Sequence, residues 1–434
     1  MIRLYAIIVT ALLALAVSCA QPAYGADTLR LGNERPEIYL PLLRGKKVGL
    51  LSNHTGIDHD SIHTVDKLLA AGINVTTLFS PEHGFRGDAD AGQKVGNSTD
   101  ASTGLPVVSL YGRKSLPLPQ SVMDSVDVFV VDLQDVGLRF YTYYITMLRL
   151  MEEAARGGKE FVVLDRPNPL GMTVDGPVLD MSLKSGVGAL PIPVIHGMTL
   201  GELARMIVGE GWMKPSLPPL GLTVVPMEGY NHSMRFQLLN RPSPNLKSMH
   251  AVYLYPSTCL FEGTVMSLGR GTDHPFEVYG HPDMKTTPEA NTRKIKDRRG
   301  ADSEKYYLHE PTEYLPSGIH GDKDDIVNYS FTPKPMPGAK NPPLSGEECF
   351  GRSLREVPDS AIIDNGLDLS YIIDAYNKMP RKNNFFTSFF DKLIGNVSVR
   401  QKITKGETKQ MIRDFWRKDV EKFKQKRAKY LLYD

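Results

Sequence analysis

Residues 48–79 read VGLLSNHTGIDHDSIHTVDKLLAAGINVTTLF. The first four residues form an apolar, strand-like run, Thr64–Ala71 repeats apolar side chains at helical spacing, and Val75–Phe79 is a second strand-like run. A strand, a helix and a strand in this order indicate a crossover between two parallel strands. The stretch therefore predicts an α/β fold with a mostly parallel sheet.

The same alternation continues along the chain and extends the predicted sheet. Further strands are predicted at Val107–Leu110, Val126–Leu133, Phe161–Leu164 and Leu222–Pro226. Helices are predicted at Tyr141–Arg156, Leu200–Glu210, Asp368–Met379 and Lys409–Tyr430. Thr199 and Glu202 form a capping box at the start of the second of these helices.

A change in composition near residue 248 predicts a domain boundary. The turn-forming sequence RPSPN occupies residues 241–245, and a proline-rich, loop-rich stretch follows between Gly280 and Glu348. We therefore predict an α/β domain at 26–248 and a second domain at 249–434.

The N-terminal residues have the pattern of a secretory signal. Arg3 precedes an apolar run from Tyr5 to Val17, which is too short to span a membrane. We predict a signal peptide at 1–25 and an exported protein, periplasmic or anchored to a bacterial membrane. Cys19 ends a lipobox-like sequence, whereas Ala23-Tyr24-Gly25 offers an ordinary cleavage site, and both alternatives stay open.

The charge balance and the cysteine count exclude several classes of protein. The chain has 434 residues with 51 Lys and Arg against 49 Asp and Glu, a balance that does not support nucleic-acid binding. Three cysteines cannot form a disulfide framework or a four-thiolate zinc site. The histidines and aspartates between His54 and His63 fall in a predicted surface turn and lack a metalloprotease motif. We predict no metal and no cofactor.

Polar side chains follow four of the predicted strands at their carboxyl ends, where ligands bind in open α/β sheets. These candidate residues are Asn53, Glu82, His83, Arg86, Asp132, Gln134, Asp135, Arg139, Asp165, Arg166 and Asn168. Each also has a structural explanation, because asparagines form turns and the aspartates can pair with neighbouring arginines. If one sheet carries them all, they line one cleft for a polar ligand.

Two further groups of residues suit a sugar substrate. Tyr141 either packs its helix or stacks on a pyranose face, and Glu262 and Arg270 are flanked by glycines that let a charged side chain approach a ligand. The motifs for phosphate loops, dinucleotide binding and common serine hydrolysis are absent from the sequence. Paired carboxylates in a polar cleft favour glycoside cleavage.

The motifs resemble those of the exo-β-N-acetylmuramidase (NamZ) family. The resemblance covers the chain from about residue 45 onward and rests on GLLSNHTG (49–56), LFSPEHGFRG (78–87), DLQDVGLRFYTY (132–143), DRPNPLG (165–171), CLFEGT (259–264) and GRGT (269–272). It implies a Rossmann-like first domain, a smaller α+β second domain and an active site between them. The implied reaction releases terminal N-acetylmuramic acid from the non-reducing end of peptidoglycan fragments.

The resemblance also implies roles for single residues. It makes Glu82 the catalytic acid, and for the second group we favour Asp135, then Glu262 and Asp132, although the substrate's acetamido oxygen is an alternative nucleophile. The lactyl carboxylate of N-acetylmuramic acid requires a cation, for which Arg86, Arg139 and Arg270 are candidates. A non-catalytic muropeptide-binding lipoprotein and a metal-dependent hydrolase of amino sugars are the alternative functions.

Overall fold

A computed structural model describes residues 29–87, 96–111, 117–284 and 329–434. The predicted signal peptide and Cys19 lie outside the described residues. The main feature is a seven-stranded sheet within the described part of the chain. Its strands are β1 Val48–Ser52, β2 Val75–Ser80, β3 Ser98–Thr99, β4 Pro106–Ser109, β5 Val128–Asp132, β6 Glu160–Leu164 and β7 Leu222–Val225.

The strand order places a ligand-binding crevice at the middle of this sheet. The order is β3-β4-β2-β1-β5-β6-β7, and every neighbouring pair is parallel except β3 and β4. Leu50 in β1 pairs with Leu78 on one side and with Val130 on the other. From β1 the chain adds β2 and β4 on one side of the sheet and then β5, β6 and β7 on the other side. In such sheets the ligand-binding crevice lies beyond the carboxyl ends of the two strands where the order reverses, here β1 and β5.

Helices cover both faces of the sheet. The helices of the described residues, including those of the second part of the chain, are α1 Pro36–Leu43, α2 Thr64–Ala70, α3 Gln120–Asp124, α4 Tyr143–Gly157, α5 Leu200–Gly209, α6 Met249–Thr258, α7 Asp359–Asn365, α8 Ser370–Lys378, α9 Ser388–Ile394, α10 Val397–Thr404 and α11 Lys409–Arg427. Helices α1 and α2 pack on one face, whereas α4 and α5 pack on the other. Burial on both faces explains why the central strands β1, β5 and β6 are mostly apolar.

Alternate residues of one strand show how the two cores are built. Val128 and Val130 point into the smaller core, and Phe129 and Val131 point into the larger one.

The predicted capping box of α5 is confirmed, since Thr199 accepts from the backbone of Glu202 and the Glu202 side chain accepts from the backbone of Thr199.

The second part of the chain contains a small antiparallel sheet that the sequence did not predict. Its strands are β8 Val278–His281, β9 Tyr329–Phe331 and β10 Cys349–Ser353, in the order β8-β10-β9.

The predicted fold class, a mostly parallel α/β sheet with a smaller α+β part, is confirmed. Among the described residues, no helix combines the length and apolar character needed to cross a bilayer.

The C-terminal helix and tail return to the first sheet. The apolar face of α11 is buried, and the indole Nε1 of Trp416 donates to Asp175 at 3.0 Å. Beyond the helix, the hydroxyl of Tyr433 donates to Asp165 at 2.7 Å. The two parts of the chain therefore share a continuous hydrophobic core and meet around a common cavity.

Candidate active site

A cavity of about 1100 Å³ lies between the loops of the parallel sheet and the second part of the chain. It is as large as the biggest pockets that hold drug-sized ligands, about 1,000 Å³, and so has room for more than one sugar ring. Its polar wall includes Glu82, His83, Tyr111, Thr142, Arg149, Glu262 and Arg270. Its apolar wall includes Phe140, Tyr141, Tyr255, Phe261 and Phe276.

Glu82 enters the cavity from the turn that follows β2. A proline comes directly after the strand, and His83 and Gly84 both have positive φ, 71° and 79°, so the backbone turns sharply at this point. A left-handed histidine is strained, and such strain occurs mostly where the surrounding structure holds a functional residue in place. The turn presents the Glu82 side chain to the cavity.

Two hydroxyl groups hold the Glu82 carboxylate. Oε2 accepts a hydrogen bond from Thr142 Oγ1 at 2.8 Å, and the Tyr111 side chain forms a second hydrogen bond with Glu82. Burial and the Glu82 carboxylate both raise the pKa of Tyr111, so its phenol keeps its proton near neutral pH. The carboxyl group is thereby oriented by neutral donors from two separate segments.

Glu262 and Arg270 line the cavity from the second part of the chain. Glu262 lies in the 3-10 turn Cys259–Gly263 that extends α6, and its Oε1 accepts from Arg270 Nη2 at 2.7 Å. The guanidinium also lies over the ring of Phe276, 5.0 Å from its centroid. Burial lowers the pKa of Arg270, whereas the charge of Glu262 and its hydrogen bond to Arg270 raise it. The net result is a raised pKa. The second domain thus contributes a fixed carboxylate and its partner cation.

Aromatic rings complete the cavity. The Tyr141 hydroxyl donates to the Pro242 carbonyl at 2.6 Å, which leaves the ring on the cavity wall, edge-on to Tyr255 at 6.4 Å. Such apolar surface beside carboxylates suits a pyranose, which has a hydrophobic face and a polar rim.

Comparisons with known proteins match this arrangement along most of the chain. Models of the N-terminal and C-terminal domains of the exo-β-N-acetylmuramidase NamZ match residues 48–250 and 253–433. The chain belongs to the NamZ family. A peptidoglycan β-N-acetylmuramidase NamZ of Bacillus subtilis is 37% identical over 402 residues, which are 91% of this chain and 89% of the relative.

Solved structures of two relatives share the fold. Both are DUF1343 family proteins of Bacteroides fragilis, 43% and 31% identical to this chain, with TM-scores of 0.78 and 0.73. Each alignment covers 94% of this chain and 99% of the relative. The NamZ family and the glycoside hydrolase class predicted from the sequence are confirmed by these comparisons.

Of the residues predicted for the NamZ active site, five line the cavity. They are Glu82, His83, Tyr141, Glu262 and Arg270. The structure brings them together from both parts of the chain. The roles of these residues stay predictions.

Asp132 and Arg166 lie below the cavity rather than on its wall. They form a buried ion pair at the crevice between β1 and β5, with side chains 0% and 2% exposed. Thr64 Oγ1 also donates to Asp132, at 2.5 Å, and Arg166 donates to the Ile57 carbonyl at 2.9 Å. The pair therefore joins β5 to the loops after β1 and β6, and the structure does not bring either residue to the cavity wall.

The predicted amide residues bind neighbouring segments instead of lining the cavity. Asn53 donates to the Tyr143 hydroxyl at 2.7 Å, and Gln134 donates to the Pro167 carbonyl at 2.7 Å. Asn168 donates to the Met198 carbonyl at 3.1 Å. All three amide side chains are buried and fix the loops from which the cavity is built.

Arg139 and Asp165 are also buried away from the cavity wall. Arg139 donates to three backbone carbonyls, of Pro177 at 2.7 Å, Ile192 at 3.0 Å and Leu393 at 2.9 Å. Burial lowers the pKa of Arg139 to about 10, so the group stays charged at neutral pH. Asp165 accepts from the Thr199 hydroxyl and from the C-terminal tail, both at 2.7 Å. These residues join distant segments.

Arg86 points away from the main cavity. It forms a two-pronged ion pair with Asp100, at 2.7 and 2.8 Å, beside a second pocket of about 400 Å³. His83 borders both pockets.

Asp135 is buried near Tyr141, Tyr143 and Tyr144. One of its carboxyl oxygens has no hydrogen-bond partner among the described residues. Its Oδ1 accepts from the Gly137 amide at 2.7 Å, whereas Oδ2 accepts nothing. Burial raises the pKa of Asp135 to about 7. The carboxyl group does not line the cavity, so the structure gives the residue favoured as the second catalytic group no direct access to a substrate there.

Substitution of Asp135 with asparagine is expected to change how stability depends on pH. Between about pH 4, the ordinary value for aspartate, and pH 7, the folded wild type keeps a proton that the unfolded chain releases, so its stability falls as pH rises. An asparagine side chain at this position cannot ionise. We therefore expect Asp135→Asn to gain stability relative to the wild type from pH 4 to pH 8, measured by urea unfolding.

A matched control for this measurement is Asp60→Asn, which changes an exposed carboxylate. Its stability difference from the wild type should stay nearly constant over the same range. A constant difference for Asp135→Asn as well would show that Asp135 ionises normally in the folded protein.

Sequence reasoning missed several residues of the polar wall, among them Tyr111, Thr142 and Arg149. Thr142 is the N-cap of α4 and lies on the same face as Ile145, Thr146 and Arg149, at positions i, i+3, i+4 and i+7. These polar residues interrupt an otherwise apolar helix, and this interruption is the sequence signal from which Thr142 and Arg149 could have been found. Tyr111 follows β4 by two residues and could have been found by the strand-end argument used for Glu82.

Proposed function

We propose that this chain is an exported, exo-acting β-N-acetylmuramidase that uses Glu82 as its general acid. The observation that carries the proposal is the position of Glu82, held by Thr142 and Tyr111 on the wall of a large cavity that Glu262 also lines. A relative that is 37% identical to this chain is a peptidoglycan β-N-acetylmuramidase. Muramic-acid-terminated fragments of peptidoglycan are therefore the proposed substrates.

In this proposal the two carboxyl groups, Glu82 and Glu262, have different roles in the reaction. Glycoside cleavage requires an acid to protonate the leaving oxygen and a second group to stabilise the developing positive charge or activate water. Glu82 supplies the proton. Glu262 is the second carboxyl group that we now favour over Asp135 and Asp132, because it lines the cavity and they do not.

The ion pair with Arg270 supports the charged role for Glu262. The Arg270 guanidinium donates to Glu262 Oε1 at 2.7 Å and places a permanent positive charge beside this carboxyl group. Glu82 instead receives hydrogen bonds from neutral hydroxyls. Different surroundings for two carboxyl groups are the usual way in which one fold assigns acid and charged roles.

The test is incubation of the purified mature protein with a disaccharide that carries N-acetylmuramic acid at its non-reducing end. We expect release of the free sugar, followed by mass spectrometry, and no release when N-acetylglucosamine occupies that end. Tight binding by calorimetry with no turnover over hours would instead support a muropeptide receptor. Loss of turnover on addition of a chelator would support a metal-dependent hydrolase.

A further inference from the structure

Arg149 is a cation on the cavity wall that the proposed chemistry does not use. It lies on α4, two helical turns after Thr142, and is half-buried. Within the described parts of the chain, its guanidinium has no ion pair or hydrogen bond. A half-buried guanidinium has lost part of its hydration and is available for an anionic ligand.

The position of Arg149 relative to the carboxylates defines where such a ligand would lie. Tyr111, which binds Glu82, is within electrostatic reach of both Arg149 and Glu262. Glu82, Arg149 and Glu262 line the same cavity. A sugar that occupies this cavity is therefore bordered by Arg149 as well as by the two carboxyl groups.

The other cations of the cavity are less suited to this role. Arg270 is already paired with Glu262 at 2.7 Å and stacked on Phe276. Lys340 is exposed and presents a point charge rather than a planar fork. Arg86 and Arg139, the other candidates from the sequence, do not line the cavity.

We propose that Arg149 binds the lactyl carboxylate of the terminal N-acetylmuramic acid and so determines specificity for this sugar. The inference rests on the proposed function and extends it to a residue outside the sequence motifs. Arginine suits this ligand because its two parallel N–H groups match the two oxygens of a carboxylate. N-Acetylglucosamine, which lacks the lactyl group, would leave Arg149 without a partner.

Calorimetry with N-acetylmuramic acid and with its lactyl primary amide tests the assignment. The two ligands have nearly the same shape, contain no peptide and differ in one charge. We expect the wild type to bind the acid about 10- to 100-fold more tightly than the amide, as for a charge-assisted hydrogen bond. Arg149→Met should bind both with the affinity of the wild type for the amide, whereas Arg149→Lys should keep part of the preference.

Two further variants make the result specific. Arg44→Met removes an exposed arginine outside the cavity and should keep the full preference for the acid. Arg270→Met tests the competing cation. If Arg149→Met keeps the preference, or Arg270→Met alone abolishes it, the assignment of Arg149 is overturned.

The outcome can be separated from failure of the proposed function. A wild type that releases the sugar from the disaccharide but binds acid and amide equally would overturn only the role of Arg149. A wild type that neither releases nor binds the sugar would overturn the proposed function, and the role of Arg149 with it. Circular dichroism of Arg149→Met and Arg149→Lys confirms that each variant is folded.

Discussion

Glu82→Gln is expected to reduce release of N-acetylmuramic acid from a disaccharide by about 10²- to 10⁴-fold, the usual contribution of a general acid. Glutamine keeps the shape of the side chain, and its amide oxygen can still accept from Thr142 and Tyr111. It has no acidic proton to give to the leaving oxygen. The fold should therefore be retained while the chemical step is lost.

The comparison of two leaving groups identifies the step that is affected. 4-Nitrophenolate leaves without protonation, so the loss in kcat for Glu82→Gln should be much smaller on a 4-nitrophenyl muramide than on the disaccharide. Glu160→Gln, which changes an exposed glutamate paired with Lys46, is the matched control and should behave as the wild type. Equal losses on both substrates would show that Glu82 does not act as the acid.

Arg166→Met is expected to reduce the free energy of unfolding by about 3–5 kcal/mol, because it leaves the buried carboxylate of Asp132 without its partner. This is a large part of the roughly 5–15 kcal/mol by which domains are stable. The same substitution removes a residue that the sequence predicted to bind substrate. Urea unfolding and activity per folded molecule distinguish these two roles.

Two controls accompany this prediction. Lys46→Met breaks an exposed ion pair of similar length, 2.7 Å, and should cost no more than about 1 kcal/mol. Asp132→Asn combined with Arg166→Met removes both charges and should recover much of the stability lost by Arg166→Met. A small loss of stability with a large loss of activity in Arg166→Met would instead assign Arg166 to substrate binding.

The first domain was largely predictable because its signals are local. Each parallel strand of the seven-stranded sheet is a short, mostly apolar run, and the structure places β1, β2, β5 and β6 within about two residues of the predicted bounds. The antiparallel sheet of β8, β9 and β10 was not predicted. Its strands have three to five residues and are stabilised by partners distant in the chain, so their own composition carries little signal.

The candidate site was only partly predictable. Strand ends and motifs led to Glu82, Glu262 and Arg270, which line the cavity. The same reasoning also selected Asn53 and Arg139, which are buried beneath it and bind neighbouring segments. A polar residue after a parallel strand can point into the crevice or back into the loops, and position in the chain does not distinguish these directions.

By itself the sequence determined the class of fold, the family and the turn that carries Glu82. The spacing of apolar residues, the turn-forming residues and the motifs that indicate them are all properties of residues close together in the chain. Only the tertiary structure decided which polar groups face the cavity. Burial of Asp132 and Arg166, the pairing of Glu262 with Arg270 and the unpaired state of Arg149 among the described residues depend on contacts between distant segments. Desolvation and pairing arise from those contacts, and they separate a structural charge from one available to a substrate.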